Sequence, residues 1–200
     1  LSFTTATTRT VMVESIIQHV APSGNDAADG ASWLTAKQTI QAAVDASLYG
    51  GLVLVSNGVY DTGERSYGGL SNSNRVILTN AVTLRSVNGP AATIIAGRPG
   101  PRTNDPQAVR CVMMAAGTRL EGLSLTNGYG RQLYERDFGG GAWCMDATAA
   151  LSNCVISGCS AWMGGGGVYQ GTLYNSRIES SIASSGGGAY DSILYDCVVT

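Results

Sequence analysis

The residues best suited to chemistry lie in one charged segment, residues 128–138, within a chain of which only 13% is charged. This segment contains two arginines, two acidic residues and two tyrosines. Aromatic rings offer flat apolar faces and guanidinium groups offer paired donors to carboxylates, and sugar recognition uses both. We therefore predict a glycan contact at Arg131, Tyr134, Glu135, Arg136 and Asp137. The alternative is a solvated loop that contains an internal Arg–Glu or Arg–Asp pair.

Three aromatic residues, Trp143, Tyr169 and Tyr190, each stand directly after a run of three glycines and one further residue. Rings at equivalent positions of a repeat stack in a column. This aromatic column has two interpretations, an exposed platform for sugars or a ladder that stabilises the sheet. The sequence does not indicate which way the rings point, so both hypotheses remain open.

An acidic turn near the start of the chain is a candidate metal site. The oxygens of Asn25, Asp26 and Asp29 are of the kind that binds calcium. Their spacing does not match an EF-hand loop, and Asn, Asp and Gly are also ordinary turn formers. A calcium site and a plain turn are therefore both considered. His19 has no ligand-like neighbours, no zinc-binding spacing is present, and no other cofactor is indicated.

The five cysteines include two at equivalent positions of the repeat, Cys154 and Cys197, which are two coils apart. Two coils correspond to about 10 Å, which is too far for a disulfide. We expect both thiols to be small buried core groups. Cys159 is close to Cys154 in sequence, and the hypothesis of a disulfide between them stays open.

Repetition in the second half of the chain predicts how these residues are positioned. Leu151, Leu173 and Leu194 each begin one of three similar segments. The segments recur with a nearly fixed period of about 21 residues, which is typical of a solenoid, in which each repeat packs only on its neighbours. Apolar residues alternate with others within these segments, which predicts short strands with one buried face.

The third residue of each segment predicts a sharp bend between two strands. Leu120 begins an earlier, fourth copy of the segment, so these residues are Gly122, Asn153, Asn175 and Asp196, all of types that tolerate a left-handed backbone. Strands joined by such bends stack as parallel sheets at about 4.8 Å per coil, and parallel crossovers are right-handed. We therefore predict an all-β fold, a right-handed parallel β-helix. The glycine runs are expected where side chains would collide with the next coil.

Residues 36–48 predict an amphipathic helix that covers the open end of the core. Its apolar face is expected to contain Ile40, Ala43, Val44 and Leu48. We expect Ser32 or Thr35 to cap its start and Gly50 to mark its end.

The remaining elements complete a single domain, with an N-terminal strand and the capping helix over residues 1–51 and about six coils over residues 52–200. Strands are predicted at Leu52–Val55, Val76–Leu78, Val82–Leu84, Thr93–Ala96 and Val109–Met113. Loops are predicted at residues 61–75, 98–107 and 128–138.

Several segments resemble the N-terminal cap of pectin-lyase-like parallel β-helix proteins, namely Val20–Asp26, Asp29–Gly30, Trp33, Thr39–Val44 and Gly58–Tyr60. The Gly-Gly-Gly-Ala-Tyr and Leu-x-Asn-Cys-x-Ile coils resemble those of secreted bacterial surface proteins in the same superfamily, including polymorphic outer-membrane proteins. The resemblance covers nearly the whole chain and implies a secreted or cell-surface bacterial protein. It implies no single activity, because this fold carries lyases, hydrolases, adhesins and phage tailspikes.

Two functions are consistent with that resemblance. A polysaccharide lyase or hydrolase acting on uronate polymers would use a base of lowered pKa, usually Arg or Lys in this superfamily, with calcium or Arg beside the carboxylate. The charged residues on the predicted coils are scattered: Arg85, Arg110, Arg119, Arg177, Asp146 and Asp191. Sparse charge and regular coils instead favour a non-catalytic extracellular scaffold, adhesin-like and glycan-binding through loop 128–138 and the aromatic column.

A formal net charge of −2 gives no reason to expect nucleic acid or an anionic membrane as partner. No apolar stretch approaches the length of a membrane-spanning helix. The chain stops at Thr200 inside a predicted strand. An open coil exposes backbone groups and core, so we expect further coils, a second copy or another chain to cover it.

Overall fold

The computed structural model describes residues 17–68, 72–99, 107–130 and 137–200, and these residues form a parallel β-helix. In each coil the chain passes through a first, a second and a third sheet in turn. Strands in the middle of a sheet pair in parallel with the strand one coil before and the strand one coil after, as Ala150–Ser152 does. Arg65–Ser66 is an exception, since it pairs antiparallel with Ser73–Leu78. The predicted fold class is confirmed.

The three main sheets contain most of the described strands. The first sheet consists of Ile17–Val20, Leu52–Val55, Thr83–Ser86, Arg119–Glu121, Ala150–Ser152, Thr172–Tyr174 and Ile193–Tyr195. The second sheet consists of Gly58–Tyr60, Thr93–Ala96, Ser124–Thr126, Val155–Ser157, Arg177–Glu179 and Val198–Val199. The third sheet consists of Arg65–Ser66, Ser73–Leu78, Val109–Met114, Ala142–Cys144, Val168–Tyr169 and Ala189–Tyr190. A small fourth sheet pairs Tyr129–Gly130 with Ser160–Ala161.

The predicted repeat is confirmed by one row of leucines across the first sheet. The row contains Leu120, Leu151, Leu173 and Leu194, each in register with the next. The first three are fully buried, so the row belongs to the core. From Leu52 onward the described part of the first sheet contains six strands, which matches the expected number of coils.

The bend between the first and second sheets is built in the same way in four successive coils. Its backbone φ is 69° at Gly122, 52° at Asn153, 47° at Asn175 and 50° at Asp196. Short polar side chains and glycine tolerate this left-handed region, whereas bulky residues do not. The predicted left-handed bend is therefore confirmed.

The glycine runs form the corner at which the chain enters the third sheet. A Cβ atom added to Gly141 would lie 2.6 Å from the carbonyl oxygen of Gly167. One added to Gly167 would lie 2.5 Å from the carbonyl oxygen of Gly188. Consecutive coils thus touch through backbone at this corner, as predicted, and a close-packed interior leaves no space for a side chain.

The predicted capping helix is present but shorter than residues 36–48. It covers Ile40–Ala46 and packs against the first and third sheets. Thr39 caps its start, because its side chain accepts a hydrogen bond from the backbone N–H of Ala42. The helix buries Ile40, Ala43 and Val44.

Two details of the helix prediction were wrong. Ser32 and Thr35 do not cap the helix, because they close a separate 3-10 turn, Trp33–Thr35, through reciprocal hydrogen bonds. Leu48 is 50% exposed, because the helix ends at Ala46 and Leu48 lies outside it.

The strand predictions were accurate where the residues are apolar. Leu52–Val55 and Thr93–Ala96 occur as predicted. The loop predicted at residues 61–75 was wrong in part, because it contains Arg65–Ser66 and the start of Ser73–Leu78. The start of that strand is polar, so the apolar pattern did not predict it. Smaller shifts occur at Thr83–Ser86, Val109–Met114 and Tyr129–Gly130.

Candidate functional site

The connection from the second sheet to the third carries the candidate site, and its composition differs from coil to coil. In one coil it contains the charged insertion, of which Arg131, Tyr134, Glu135 and Arg136 lie outside the described residues. Asp137 is described and is only 3% exposed. Its carbonyl oxygen accepts a hydrogen bond from the N–H of Met163 in the next coil, at 3.1 Å. The backbone at the end of the insertion is therefore hydrogen-bonded to the backbone of the next coil.

Arg110 fixes this connection to the outer face of the third sheet. Its guanidinium donates to the carbonyl oxygens of Gly139 and Phe138, at 2.6 and 2.8 Å, and to Oδ1 of Asn74 at 2.8 Å. Its Cζ lies 5.5 Å from the centre of the Trp143 ring, within range of a cation–π contact. Arg110 is 2% exposed, so these contacts are made away from water.

Burial lowers the pKa of Arg110 to about 10, while the nearby Asp137 carboxylate acts in the opposite direction. A lowered pKa is one requirement for a catalytic base. A base must also reach its substrate, and the three nitrogens of this guanidinium all donate to protein acceptors. Arg110, one of the scattered charged candidates, thus holds the connection in place and is not accessible.

The aromatic column is confirmed as a structural feature. Trp143 pairs with Tyr169, and Tyr169 pairs with Tyr190, across the third sheet. Phe138 stacks on Tyr169, with ring centroids 4.2 Å apart and planes inclined by 26°. Tyr169 and Tyr190 stack with planes inclined by 14° and centroids 6.1 Å apart. Stacked rings cover one another's faces and direct their edges outward, which favours the stabilising interpretation for Tyr169.

The two column residues that lie between described coils are covered. Trp143 is 7% exposed and Tyr169 is half-buried. A second stacked pair, Tyr174 and Tyr195, lies on the first sheet with centroids 5.1 Å apart.

Sequence analysis missed Trp162, which is 44% exposed on the same connection, one coil after the insertion. It precedes Met163, whose N–H donates to the carbonyl oxygen of Asp137, and Gly164 pairs with Phe138, so Trp162 lies two residues before the position opposite Phe138. An indole with an exposed face is well suited to stack on a sugar ring. The sequence signal for Trp162 was its place shortly before the glycine run Gly164–Gly167, since the insertion also lies shortly before a glycine run.

The other charged candidates on the coils do not converge. Arg85 pairs with Glu121 at 2.5 Å, and Arg177 pairs with Glu179 at 2.7 Å. Asp191 accepts a hydrogen bond from Gln170. Asp146 accepts hydrogen bonds from Thr148, and Arg119 is exposed on the first sheet.

The turn proposed for calcium uses its oxygens internally. Asp26 accepts hydrogen bonds from the backbone of Gln38 and Thr39 and from the Thr39 hydroxyl, while Asn25 and Asp29 each accept one backbone N–H. The Lys37 ammonium donates to the carbonyl oxygens of Asp26 and Ala28, at 3.1 and 2.6 Å. Across the described ranges, no three His, Cys, Asp or Glu side chains group as metal ligands. These contacts favour a plain turn.

Comparison with known proteins supports the fold. No protein-family model matches the sequence, and no curated protein matches it either. Among solved structures, pectate lyase Pel9A superimposes with a TM-score of 0.59 at 16% identity, over 90% of this chain and 46% of that chain. A rhamnogalacturonan lyase superimposes with a TM-score of 0.48 at 10% identity, over 92% of this chain and 51% of that one.

At 16% identity, the likeness to the pectate lyase shows the fold alone, a parallel β-helix of the pectin-lyase-like type. The chain spans about half the length of that enzyme. Within the described ranges, no helix has both the length and the apolar character needed to cross a membrane.

Proposed function

We propose that the chain is a non-catalytic, glycan-binding β-helix module of a secreted or cell-surface bacterial protein, adhesin-like in role. Its proposed binding surface, the insertion surface, comprises Trp162 and Met163 on the connection from the second sheet to the third, with residues 131–136 of the insertion proposed as further contacts. The observation that carries the proposal is the exposed Trp162 indole, one coil after a charged insertion.

Three features of the insertion surface support glycan binding. Trp162 is 44% exposed and supplies apolar ring surface. Two arginines and a tyrosine of the insertion supply polar groups, and arginine can grip a uronate carboxylate through two parallel hydrogen bonds. The end of the insertion is fixed to the third sheet by the buried Arg110. A rigid base lowers the entropy cost of ordering a binding loop.

A polysaccharide lyase acting on uronates is the alternative, and the structural likeness to pectate lyase Pel9A favours it. The enzyme would require a reachable base beside an uronate site. Among the described coil arginines, Arg110 is buried and triply bonded, and Arg85 and Arg177 each contact a glutamate. The described coils therefore favour binding over catalysis.

A glycan array probed with the intact chain tests the proposal, with Trp162→Ala as the main variant. We expect the wild type to bind acidic glycans and Trp162→Ala to bind about tenfold or more weakly, because stacking surface is lost. Trp33→Ala is the matched control, since Trp33 is 46% exposed but lies in the N-terminal turn region. It should bind like the wild type. Arg131→Ala combined with Tyr134→Ala should also weaken binding.

Two results would contradict the proposal. Equal binding by the Trp162→Ala and Trp33→Ala variants would remove the insertion surface as the site. Formation of unsaturated products from pectate or alginate in the presence of calcium, followed by ultraviolet absorbance, would replace the binding role with the lyase alternative.

A further inference from the structure

A cavity of about 320 Å³ lies between the capping helix and the first coil. We call it the cap cavity, and its walls include Gln38, Asp45, Tyr60, Thr62, Glu64 and Arg75. Its volume is at the lower end of the range for small-molecule sites. The cap cavity shares no residue with the insertion surface, which lies in later coils.

Arg75 is the buried charge in the wall of the cap cavity. It is 6% exposed, and its Nε donates to the carbonyl oxygen of Ala96 at 2.8 Å. Its Nη1 donates to the carbonyl oxygen of Gly63. Its third nitrogen, Nη2, has no hydrogen-bond partner among the described residues and is not enclosed by protein atoms. Because Arg75 lines the cavity, Nη2 is the donor that faces it.

The guanidinium of Arg75 also lacks an opposite charge. Within the described ranges, no carboxylate forms an ion pair with it. Burial lowers its pKa, and the positive charge of Arg98 acts in the same direction, while Glu64 and Asp61 act against it. A desolvated charge is costly unless it is paired, and carbonyl oxygens offset only part of that cost. An anion in the cavity would supply the missing charge.

The acidic side chains of the cavity wall already have partners. Asp45 pairs with Arg65 at 2.8 Å, and Glu64 pairs with Arg98 at 3.1 Å. Asp26, which also lines the cavity, accepts three hydrogen bonds from residues 38–39. These acids do not form ion pairs with the Arg75 guanidinium, yet they would repel a second negative charge on a ligand. The cavity is therefore suited to an anion that carries a single charge.

The remaining walls suit the body of a small sugar. Gln38 and Thr62 are exposed, and their side chains form no hydrogen bond with the residues that the structure describes. Their amide and hydroxyl groups can therefore bind the hydroxyl groups of a ligand. Tyr60 and Val76 are buried and supply apolar surface in the same cavity. A sugar ring that carries one carboxylate matches both the polar and the apolar walls.

We propose that the cap cavity binds a single sugar acid, a uronate monosaccharide, with its carboxylate on the guanidinium of Arg75. Guanidinium and carboxylate groups form charge-assisted hydrogen bonds, which are stronger than those between neutral groups. The sugar hydroxyls bind Gln38 and Thr62. The small volume of the cavity favours one ring over a polymer.

The test is an NMR titration of the intact, 15N-labelled chain with glucuronate, glucose and inorganic phosphate in separate experiments. Glucuronate has a carboxylate where glucose has a hydroxymethyl group, so this comparison isolates the contribution of the charge. We expect glucuronate to shift the amide signals of Gln41, Gly63 and Arg75 saturably, with a Kd of about 1 mM. Glucose should bind at least about tenfold more weakly, because it cannot form the charged hydrogen bonds. Phosphate should also bind more weakly than glucuronate, because the acids of the wall repel its second charge.

A matched pair of leucine variants tests whether the cavity is the site. Ala42 lines the cavity, whereas Ala46 is exposed at the end of the same helix. Leucine is a good helix former, so both variants should fold, and only Ala42→Leu fills the cavity. Ala42→Leu should weaken glucuronate binding about tenfold or more, because the added side chain takes up the space of the ligand. Ala46→Leu should bind glucuronate like the wild type.

A third variant, Arg75→Met, tests the charge and should abolish glucuronate binding. Its Tm shows whether it folds, and Ala42→Leu provides the test if it does not, because that variant keeps Arg75 and its hydrogen bonds. Trp162→Ala should bind glucuronate at the cap cavity like the wild type, so a failure of the insertion surface and a failure of the cavity are distinguishable.

Four results would each overturn the inference. These are the absence of a saturable shift with glucuronate, equal affinity for glucose, tighter binding of phosphate, and unchanged glucuronate binding by Ala42→Leu. The first result would leave Arg75 with a structural role alone, as the residue that joins Gly63 to Ala96.

Discussion

Two connections of the coil differ in how much they vary from one coil to the next. In the last four coils the bend between the first and second sheets has one left-handed residue, such as Asn153 or Asn175, and its length does not change. The connection between the second and third sheets contains the charged insertion in one coil and Trp162 in the next. The insertion makes the sequence separation of Leu120 and Leu151 longer than that of the next pair, Leu151 and Leu173.

This difference shows where the fold tolerates variation. The bend is constrained because its backbone conformation permits few residue types. The other connection varies in length, and the backbone contacts of Gly139 and Gly141 with the next coil keep the register at the glycine corner. Binding residues in many proteins lie on variable loops over a rigid scaffold, which is the pattern that the proposed insertion surface would follow.

The largest expected effect comes from removing the anchor of the variable connection. Arg110→Met should lower the free energy of unfolding by about 3 kcal/mol or more, because it leaves the carbonyl oxygens of Phe138 and Gly139 without their buried donor. Chemical denaturation monitored by circular dichroism measures the change. Arg119→Met is the control, since Arg119 is exposed, and it should stay within about 0.5 kcal/mol. Equal stability of the two variants would show that the variable connection needs no anchor.

A smaller effect is expected from the constrained bend. Asn153→Val places a β-branched residue at a φ of 52° and should cost about 1–2 kcal/mol. Gly122→Asn is the matched control, because asparagine already occupies this position in two later coils. It should be nearly neutral. If both variants were equally stable, the left-handed conformation would not be what restricts this bend.

The smallest effect concerns the connection from the third sheet to the first. A hydrogen bond from the Thr148 hydroxyl to Asp146, at 2.6 Å, is the main cause that lowers the pKa of this carboxyl. A lowered folded-state pKa stabilises the fold above the unfolded pKa, and this contribution disappears as the pH falls below about 4.

Thr148→Val should therefore raise the pKa of Asp146 toward its ordinary value, and Thr148→Ser should keep it low. Stability at neutral pH should change by less than about 1 kcal/mol in both variants, because Asp146 is near the surface. NMR titration of the Asp146 carboxyl carbon measures the shift. An unchanged pKa in Thr148→Val would assign the effect to the backbone N–H donors instead.

Most of the fold could be predicted from the sequence because it is periodic. The nearly constant spacing of the repeated segments, with Gly, Asn or Asp at one fixed position, was sufficient for the coil, the bend and the register of Leu151 on Leu173. The strand predictions failed where residues depart from the apolar pattern of the element. Ser73–Leu78 begins with polar residues, and its Asn74 is buried because Arg110 bonds to it.

The site was less predictable, because exposure depends on the neighbouring coil. Trp143 and Tyr169 have equivalent sequence environments, yet the first is 7% exposed and the second is half-buried. The buried Trp143 lies against Arg110, which is distant in sequence. Trp162 belongs to no recurring motif, and its place before the glycine run Gly164–Gly167 was the one sequence signal that pointed to it.

The spacing of the paired strands also has a kinetic consequence. Each strand of the later coils finds its partner a single repeat away in sequence, as Leu151 finds Leu173 and Leu173 finds Leu194. The closure entropy of each new turn is therefore small and nearly constant, although parallel sheets in general require long crossovers. Once two turns have formed a nucleus, further turns can add one after another, so the rate of folding should depend weakly on their total number.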